Sequence, residues 1–255
     1  DKKDKILFPR IGHTDQGRPD LHRMWREALN GDSKGKPTMG YNLQFMFHYQ
    51  INWMYFRYFM WNFVGRQTAE QGWYPWDISK GHWMSGITPI DEAKLYKMDK
   101  LPDAMKNDES ANRYYFLPLI FGLLGMFYHF KQRRKDFITL FVLFIITGIG
   151  IIIYSNQPPN EPRERDYVLV GSFMTFCIWI GMGVLALYRV FASKMQGVAP
   201  AALAGLLVLS APIIMGFQNF DDHSRKHHKA SRDYAANFLN SVAPNSIIFT
   251  YGDND

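Results

Sequence analysis

The sequence predicts a mainly α-helical membrane protein. It would be a polytopic bundle of four spans, with an aromatic interfacial helix before it and the start of a soluble α/β region after it. Three observations lead to this prediction. Long apolar runs alternate with polar segments, although the mean hydropathy of the whole chain is slightly negative. Aromatic residues make up 16% of the 255 residues and gather near the ends of the apolar runs, the level of a bilayer that Trp and Tyr favour. Short basic loops separate the runs.

Residues 1–113 are predicted to form a polar and aromatic segment on the outer face of the membrane. The first 40 residues are rich in Gly, Pro, Asp and Lys, which is typical of irregular polar chain. Residues 41–67 hold eleven aromatic residues in their first 23 positions. This stretch is too polar for a span and too aromatic for a solvated helix, so we expect a helix that lies in the interface or packs against the bundle. Residues 68–113 are predicted to be a loop region with a Trp-rich patch.

Four apolar segments approach the roughly 20 residues that a helix needs to cross a bilayer. They are residues 114–130, 137–154, 167–190 and 198–217, together the predicted membrane region 114–217. Among their side chains only Arg189 is ionised, and it lies near an end, where it can reach the head groups. Because internal charges would mark an ion or substrate path, their absence disfavours a transporter.

Loop charges predict the orientation of these spans. The sequence KQRRK at 131–135 joins the first two, and Arg189 and Lys194 lie between the last two. Short basic loops favour the cytoplasm. The loop after the second span and both ends of the chain then fall on the opposite side.

Residues 218–255 are predicted to begin a soluble domain on the outer face. SRDYAANFLNSVAP is typical of an amphipathic helix that Ser231 caps and Pro244 stops. NSIIFTYGDND predicts a short strand leading into a turn. The chain opens on Asp1 and ends after this strand-like run, so we expect a piece of a longer protein, whose residues need not be contiguous in the gene.

Composition and motif content argue against several classes of protein and of functional site. The single cysteine, Cys177, cannot form an internal disulfide. The net charge of +6 is scattered or confined to short loops, so membrane orientation explains it better than nucleic-acid binding. The chain has no Gly-rich phosphate loop, nucleophile elbow or Cys/His metal set. The residues themselves therefore identify neither a reaction nor a catalytic group.

A charged loop, PPNEPRERDYV at 158–168, is the first candidate site. Arg163 and Arg165 alternate with acidic residues, Asp166 among them. Arginine binds phosphate through two parallel hydrogen bonds, and a neighbouring carboxylate can orient its guanidinium. The loop predicts either a site for a phosphate-bearing lipid head group or an ion-paired connection between two helices.

Three weaker candidates accompany it. Arg225, in the tail after the last span, is a candidate phosphate ligand, and Arg57 with Trp53 and Trp61 is a candidate platform for an isoprenoid or a sugar. Weak metal candidates are Asp221, Asp222, His223, Asp253 and Asp255. Each has a structural alternative: a membrane-proximal helix start, aromatic packing, or an ordinary turn.

Four phrases carry a family resemblance: YQINWMYFRYFMWNFVGRQ, QPPNEPRERDYVLVGSF, QNFDDHSR and PNSIIFTYGDND. Their order and spacing resemble a family of polytopic bacterial envelope proteins, grouped with the membrane-embedded GT-C type glycosyltransferases related to protein O-mannosyltransferases. The resemblance implies transfer of a sugar from a polyprenyl-phosphate carrier to an acceptor, such as a protein hydroxyl, at the periplasmic face of the bacterial inner membrane. Both ends of this chain would be periplasmic.

The resemblance also bears on site residues and partners. In such enzymes an acidic residue of the first outer loop is the base, and that loop has no counterpart here, so no catalytic residue is predicted. Arg163, Arg165 and Asp166 are the residues best placed for the carrier phosphate. The implied partners are membrane lipid, a lipid-linked sugar and a protein acceptor, and a divalent metal is the one cofactor left open. The alternative is a non-enzymatic membrane scaffold that anchors a soluble interaction domain in an envelope complex.

Overall fold

The chain is mainly α-helical, as predicted. A computed structural model describes residues 8–11, 18–31, 34–160, 166–223, 226 and 228–249. Within these residues the structure is 67% helix and has no strand. Helices α1 to α11 are, in chain order, Arg18–Asn30, Met39–Phe45, Arg57–Phe63, Thr88–Lys94, Asp103–Lys106, Leu117–Gln132, Arg134–Ile145, Ile151–Ser155, Val170–Ala192, Ala199–His223 and Ala230–Asn240. Two π-helical segments, Met46–Phe56 and Ile146–Gly150, join α2 to α3 and α7 to α8, and 3-10 turns occupy Met98–Lys100 and Asp166–Leu169. The chain divides into two compact units, Asp1–Asn219 and Phe220–Asp255.

Three helices are long and apolar enough to cross a membrane. They are Arg134–Ser155, Tyr167–Ala192 and Ala199–Phe220, of 22, 26 and 22 residues. At 1.5 Å per residue, 22 helical residues cover about 33 Å, which matches a hydrocarbon core of roughly 30 Å. These helices correspond to the second, third and fourth predicted spans, and they support the prediction of a membrane protein.

The first predicted span, 114–130, is not among these three helices. This segment forms α6 (Leu117–Gln132), whose 16 residues cover about 24 Å. The helix begins late because Tyr115 and Phe116 have φ angles of 53° and 59°, outside the α-helical region. A fourth span is therefore not confirmed.

Close packing of α6 against α9 (Val170–Ala192) forms the centre of the bundle. Gly125 of α6 approaches Trp179 and Gly183 of α9 so closely that a Cβ atom built on it would lie 1.8 Å from the Trp179 carbonyl oxygen. Beside this contact, the Trp179 indole N–H donates a hydrogen bond of 3.2 Å to Nδ1 of His129, and both side chains are buried. Small residues that bring backbones together are typical of helix contacts inside membranes.

The aromatic helix, comprising α2, the π-helical segment and α3 (Met39–Phe63), packs against the bundle. The hydroxyl groups of Tyr55 and Ser172 are 2.6 Å apart. Phe59 and Phe63 form edge-on ring contacts with Phe176 at centroid distances of 4.8 and 4.6 Å. Of the two positions that the sequence left open for this helix, the structure shows packing against the bundle.

Polar contacts join four distant segments in pairs at one end of the helices in the first unit. The Tyr49 hydroxyl donates to the Pro158 carbonyl oxygen at 3.1 Å. The Asn112 amide donates to the Gln218 carbonyl oxygen at 2.9 Å. From this end α6 runs to the basic sequence at 131–135. Pro158, which follows the second predicted span, and Gln218 of α10 therefore lie away from that basic sequence.

In the second unit, α11 (Ala230–Asn240) forms where the sequence predicts an amphipathic helix and ends before Pro244. The predicted cap at Ser231 is wrong, because Ser231 lies inside the helix, which begins at Ala230 after Lys229, and Lys229 makes no side-chain cap hydrogen bond. Residues 245–249, the described part of the predicted strand, contain no strand. A strand needs a hydrogen-bonded neighbour, and the described residues of this unit provide none. The α/β region is therefore not confirmed.

Candidate functional site

An irregular segment between the aromatic helix and α6, the loop module (residues 64–116), carries the candidate site. Its parts are joined by long-range backbone hydrogen bonds: the Gln67 N–H donates to the His82 carbonyl oxygen at 3.0 Å, and the Asn112 N–H donates to the Arg66 carbonyl oxygen at 2.8 Å. Such bonds replace regular secondary structure as partners for backbone polar groups. The loop module is thus folded rather than an open loop.

Two tryptophans of the aromatic helix bind the loop module through their indole N–H groups. Trp53 donates to the Gly72 carbonyl oxygen at 3.2 Å, and Trp61 donates to the His82 carbonyl oxygen at 2.7 Å. Both side chains are buried. Trp61 therefore belongs to the interior, so the predicted platform of Trp53, Trp61 and Arg57 is not an exposed surface.

Arg57 is buried between these two indole rings, with its guanidinium carbon 4.6 Å from the Trp53 ring centre and 5.0 Å from that of Trp61. Its Nε donates to the Trp53 carbonyl oxygen at 2.8 Å and its Nη1 to the Gly81 carbonyl oxygen at 3.1 Å. Burial lowers the pKa of Arg57 to about 10. The guanidinium therefore stays positive at neutral pH.

A cavity of about 310 Å³ opens beside Arg57, between the aromatic helix and the loop module. Its wall combines cationic, polar and apolar side chains. The lining residues are Asn52, Trp53, Phe56, Arg57, Met60, Pro75, Ile78, His82, Trp83 and Lys94. Because Phe56 and Ile78 are exposed at the surface, the cavity can admit a ligand from outside.

Lys94, the last residue of α4 (Thr88–Lys94), is the second cation of this cavity. Its Nζ lies 3.8 Å from the centre of the Trp83 ring and donates to the Trp83 carbonyl oxygen at 2.8 Å. Burial lowers the pKa of Lys94 to about 7, with the charge of Arg57 acting in the same direction and that of Asp91 opposing it. Lys94 therefore loses its proton much nearer to neutral pH than an exposed lysine does.

His82 completes the polar wall as a neutral group. Its Nε2 lies 3.1 Å from the Asp77 carbonyl oxygen, which can only accept, so Nε2 carries the proton. Burial and the charge of Lys94 lower the pKa of His82 to about 4. The imidazole therefore adds no charge near neutral pH.

These groups suit an amphiphile with an anionic head group. Arg57 and Lys94 supply positive charge, and phosphate oxygens accept hydrogen bonds from both types of side chain. An apolar surface beside those charges is formed by Phe56, Met60 and the indole rings of Trp53 and Trp83. A few polar groups set in an aromatic wall are characteristic of small-molecule sites.

A smaller cavity of about 220 Å³ lies beside the N-terminal part of α4. Thr88 and Asp91 contribute to its wall. Both Asp91 carboxylate oxygens already accept hydrogen bonds from Ser85 and Gly86, at 2.8 to 2.9 Å. Since that carboxylate fixes the turn before α4, we assign it a structural role.

Most of the sequence-predicted site residues fall outside the described side chains. Arg163, Arg165, Arg225, Asp253 and Asp255 lie outside the described residues. Asp166 begins a 3-10 turn, and Asp221, Asp222 and His223 end α10, but their side chains are outside the description. Among the described residues no group of three or more His, Cys, Asp or Glu side chains could hold a metal. Of the sequence-predicted candidates, Arg57 and Trp53 are the two that line the cavity.

Sequence reasoning missed Lys94 and His82. The Trp-rich patch that contains Trp83 was the one signal near them. Lys94 is eleven positions from Trp83 and 37 from Arg57, so no local spacing relates the three. A short helix was nevertheless readable at Thr88–Lys94, since Pro89 near its start and acidic residues in the first turns are typical helix signals.

Comparison with known proteins adds no relative. No family model matches the sequence, and neither a curated protein nor a solved structure is similar to it. The geometry of the cavity and the four sequence phrases are therefore the features that bear on function.

The lowered pKa of Lys94 predicts how stability depends on pH. Between pH 7 and 10 the unfolded lysine holds a proton that the folded one has lost, so raising the pH favours the folded state. We expect the melting temperature of the ligand-free protein to rise from pH 7 to 9 relative to that of Lys94→Met. The effect should stay below about 1.4 kcal/mol per pH unit. Parallel melting profiles for the two proteins would contradict the assignment.

Proposed function

We propose that this chain is part of an integral membrane glycosyltransferase-like protein. It takes a sugar from a polyprenyl-phosphate carrier and transfers it to an acceptor hydroxyl, on a protein, at the periplasmic face of the bacterial inner membrane. The observation that carries the proposal is the cavity that places Arg57 and Lys94 beside an aromatic wall. The four sequence phrases support the same function by their resemblance to this group of membrane enzymes.

The arrangement of the helices supports a matching topology. The loop module leads into α6, which ends at the basic residues 131–135. Basic loops favour the cytoplasm, so the loop module, the charged loop at 158–168 and the end of α10 would all lie on the periplasmic side. In this topology α6 crosses the membrane in addition to the three longer helices, and aromatic and basic side chains at its ends extend its short apolar length.

The proposed reaction is an inverting displacement at the anomeric carbon. The acceptor oxygen forms a bond to that carbon, while the bond to the carrier phosphate breaks and leaves its electron pair on phosphate. Positive side chains at the cavity stabilise the charge that develops on this leaving group. Arg163 and Arg165 of the charged loop are proposed to add to this stabilisation. The resemblance implies that the acceptor proton passes to an acidic residue of a first outer loop, which has no counterpart among these residues.

The alternative is a scaffold that anchors an envelope complex. One observation favours it: the Arg57 guanidinium already donates to two carbonyl oxygens and joins the loop module to the aromatic helix. Those contacts explain Arg57 without a ligand. They do not explain why Lys94 is largely buried, because burying a charged amine costs free energy that an exposed position would avoid.

Charge reversal at Lys94 tests the proposed function. In the protein that contains this chain, we expect Lys94→Glu to reduce binding of a short-chain isoprenyl phosphoglucose by about tenfold or more, because an anion then faces an anion. Sugar transfer to a Ser/Thr peptide should fall with it. Binding is measured with radiolabelled lipid and protein in nanodiscs.

Lys100→Glu is the matched control, since Lys100 is exposed in the same module and is absent from the cavity wall. It should leave binding unchanged. A wild-type protein that neither binds the lipid nor transfers its sugar would overturn the proposal and favour the scaffold.

A further inference from the structure

Lys94 is the cavity group whose charge can change near neutral pH. Arg57, from the aromatic helix, stays positive because its pKa is lowered only to about 10. His82, from the loop module, stays neutral because its pKa is lowered to about 4. Asp77 presents its backbone carbonyl oxygen to His82, while its carboxylate accepts a hydrogen bond of 2.5 Å from the Ser79 hydroxyl.

The remaining neighbour of Lys94 is Asp91, one turn earlier on α4. Its carboxylate accepts from Ser85 N–H at 2.8 Å, from Ser85 Oγ at 2.9 Å and from Gly86 N–H at 2.8 Å. It acts on Lys94 through its charge, and no ion pair joins the two among the described side chains. The ammonium is instead held by a ring face and one carbonyl oxygen, which leaves capacity for an anion.

We propose that the cavity binds its anionic ligand together with a proton, which Lys94 takes up as the ligand enters. This inference deepens the proposed function and depends on it for the identity of the ligand, a lipid-linked phosphodiester. A bound phosphate oxygen near Nζ favours the ammonium form, since an opposite charge within about 4–6 Å stabilises the charged state. Ligand and proton therefore stabilise one another, and each raises the affinity for the other.

Proton uptake gives the site a defined pH response. Below the pKa of free Lys94, about 7, the amine is already charged and affinity is constant. Above it, each bound ligand must bring a proton, so affinity falls with rising pH toward a limit of about tenfold per unit. Transfer of the sugar turns the diester into a phosphate monoester with more negative charge, and the charged Lys94 is placed to stabilise that product.

A phosphodiester probe isolates the response of the protein. A short-chain isoprenyl phosphoglucose keeps one negative charge from pH 6 to 9, whereas a monoester would titrate with a pKa of about 6. We expect the dissociation constant of the wild-type protein in detergent to rise by about 10- to 50-fold between pH 7 and 9. Titration calorimetry in buffers of different ionisation enthalpy should register uptake of up to one proton at pH 8.

Two variants assign the proton. Lys94→Arg keeps a fixed charge, so its dissociation constant should not change over this pH range. His82→Gln should retain the wild-type slope, because His82 is neutral throughout. A pH-independent wild-type affinity would overturn the inference, as would a Lys94→Arg variant with the wild-type slope.

The outcomes also distinguish this inference from the proposed function. Proton-linked binding without sugar transfer would support the anion site and refute the transferase. Transfer with pH-independent binding would support the transferase and refute proton uptake by Lys94. Absence of binding at every pH would refute both.

Discussion

Gly125→Leu is expected to prevent α6 from packing on α9. A Cβ atom at this position would lie 1.8 Å from the Trp179 carbonyl oxygen and 2.7 Å from the Gly183 nitrogen. Both atoms are backbone, so neither can move without displacing α9. Overpacking in a dense core usually costs about 1–3 kcal/mol, and a leucine against a rigid helix backbone should reach the top of that range or exceed it. The measurement is the melting temperature, and the yield of monodisperse protein, in detergent.

Gly181→Leu is the matched control, because Gly181 lies within α9, the partner helix in this contact, but a Cβ atom there would have no neighbour within 4 Å. This variant makes the same substitution in the other helix of the pair, and we expect wild-type yield and melting behaviour. If both variants lost melting temperature and monodisperse yield to the same extent, the backbone contact between α6 and α9 would not determine stability.

The three helices that are long and apolar enough to cross a membrane could be predicted, because hydropathy and length determine such helices. The predicted segments 137–154, 167–190 and 198–217 agree with the observed helices within a few residues. The helices extend further because flanking polar residues continue the helix beyond the apolar core, as Arg134 does at one end. Prediction of the first span relied on the apolar content of 114–130, and the backbone at Tyr115 and Phe116 shortened that helix.

The candidate site could be predicted only in part, because most of its contacts join residues that are far apart in the sequence. Arg57 could be identified because a single cation among aromatic residues is unusual in any helix. Lys94 could not be identified from the sequence. Its pKa is lowered by burial and by the charge of Arg57, and both depend on the long-range backbone hydrogen bonds that fold the loop module. The polar sequence of 68–113 also lacks the periodicity that marks regular elements.

Arg57→Met is expected to separate the loop module from the aromatic helix. Methionine preserves much of the side-chain volume but donates no hydrogen bond, so the Gly81 carbonyl oxygen loses its partner in a buried site. The two indole rings also lose the cation between them. Together we expect a loss of about 2–4 kcal/mol. The melting temperature and the rate of proteolysis within residues 68–82 measure it.

Arg113→Met is the control, since Arg113 is an exposed cation of the same module and an exposed substitution usually changes stability by less than about 0.5 kcal/mol. If Arg57→Met is as stable and as protease-resistant as this control, the guanidinium does not hold the module in place. Loss of lipid binding in such a folded variant would then assign Arg57 to the ligand. Destabilisation with binding retained in the surviving folded fraction would assign it to structure and leave Lys94 as the anion-binding cation.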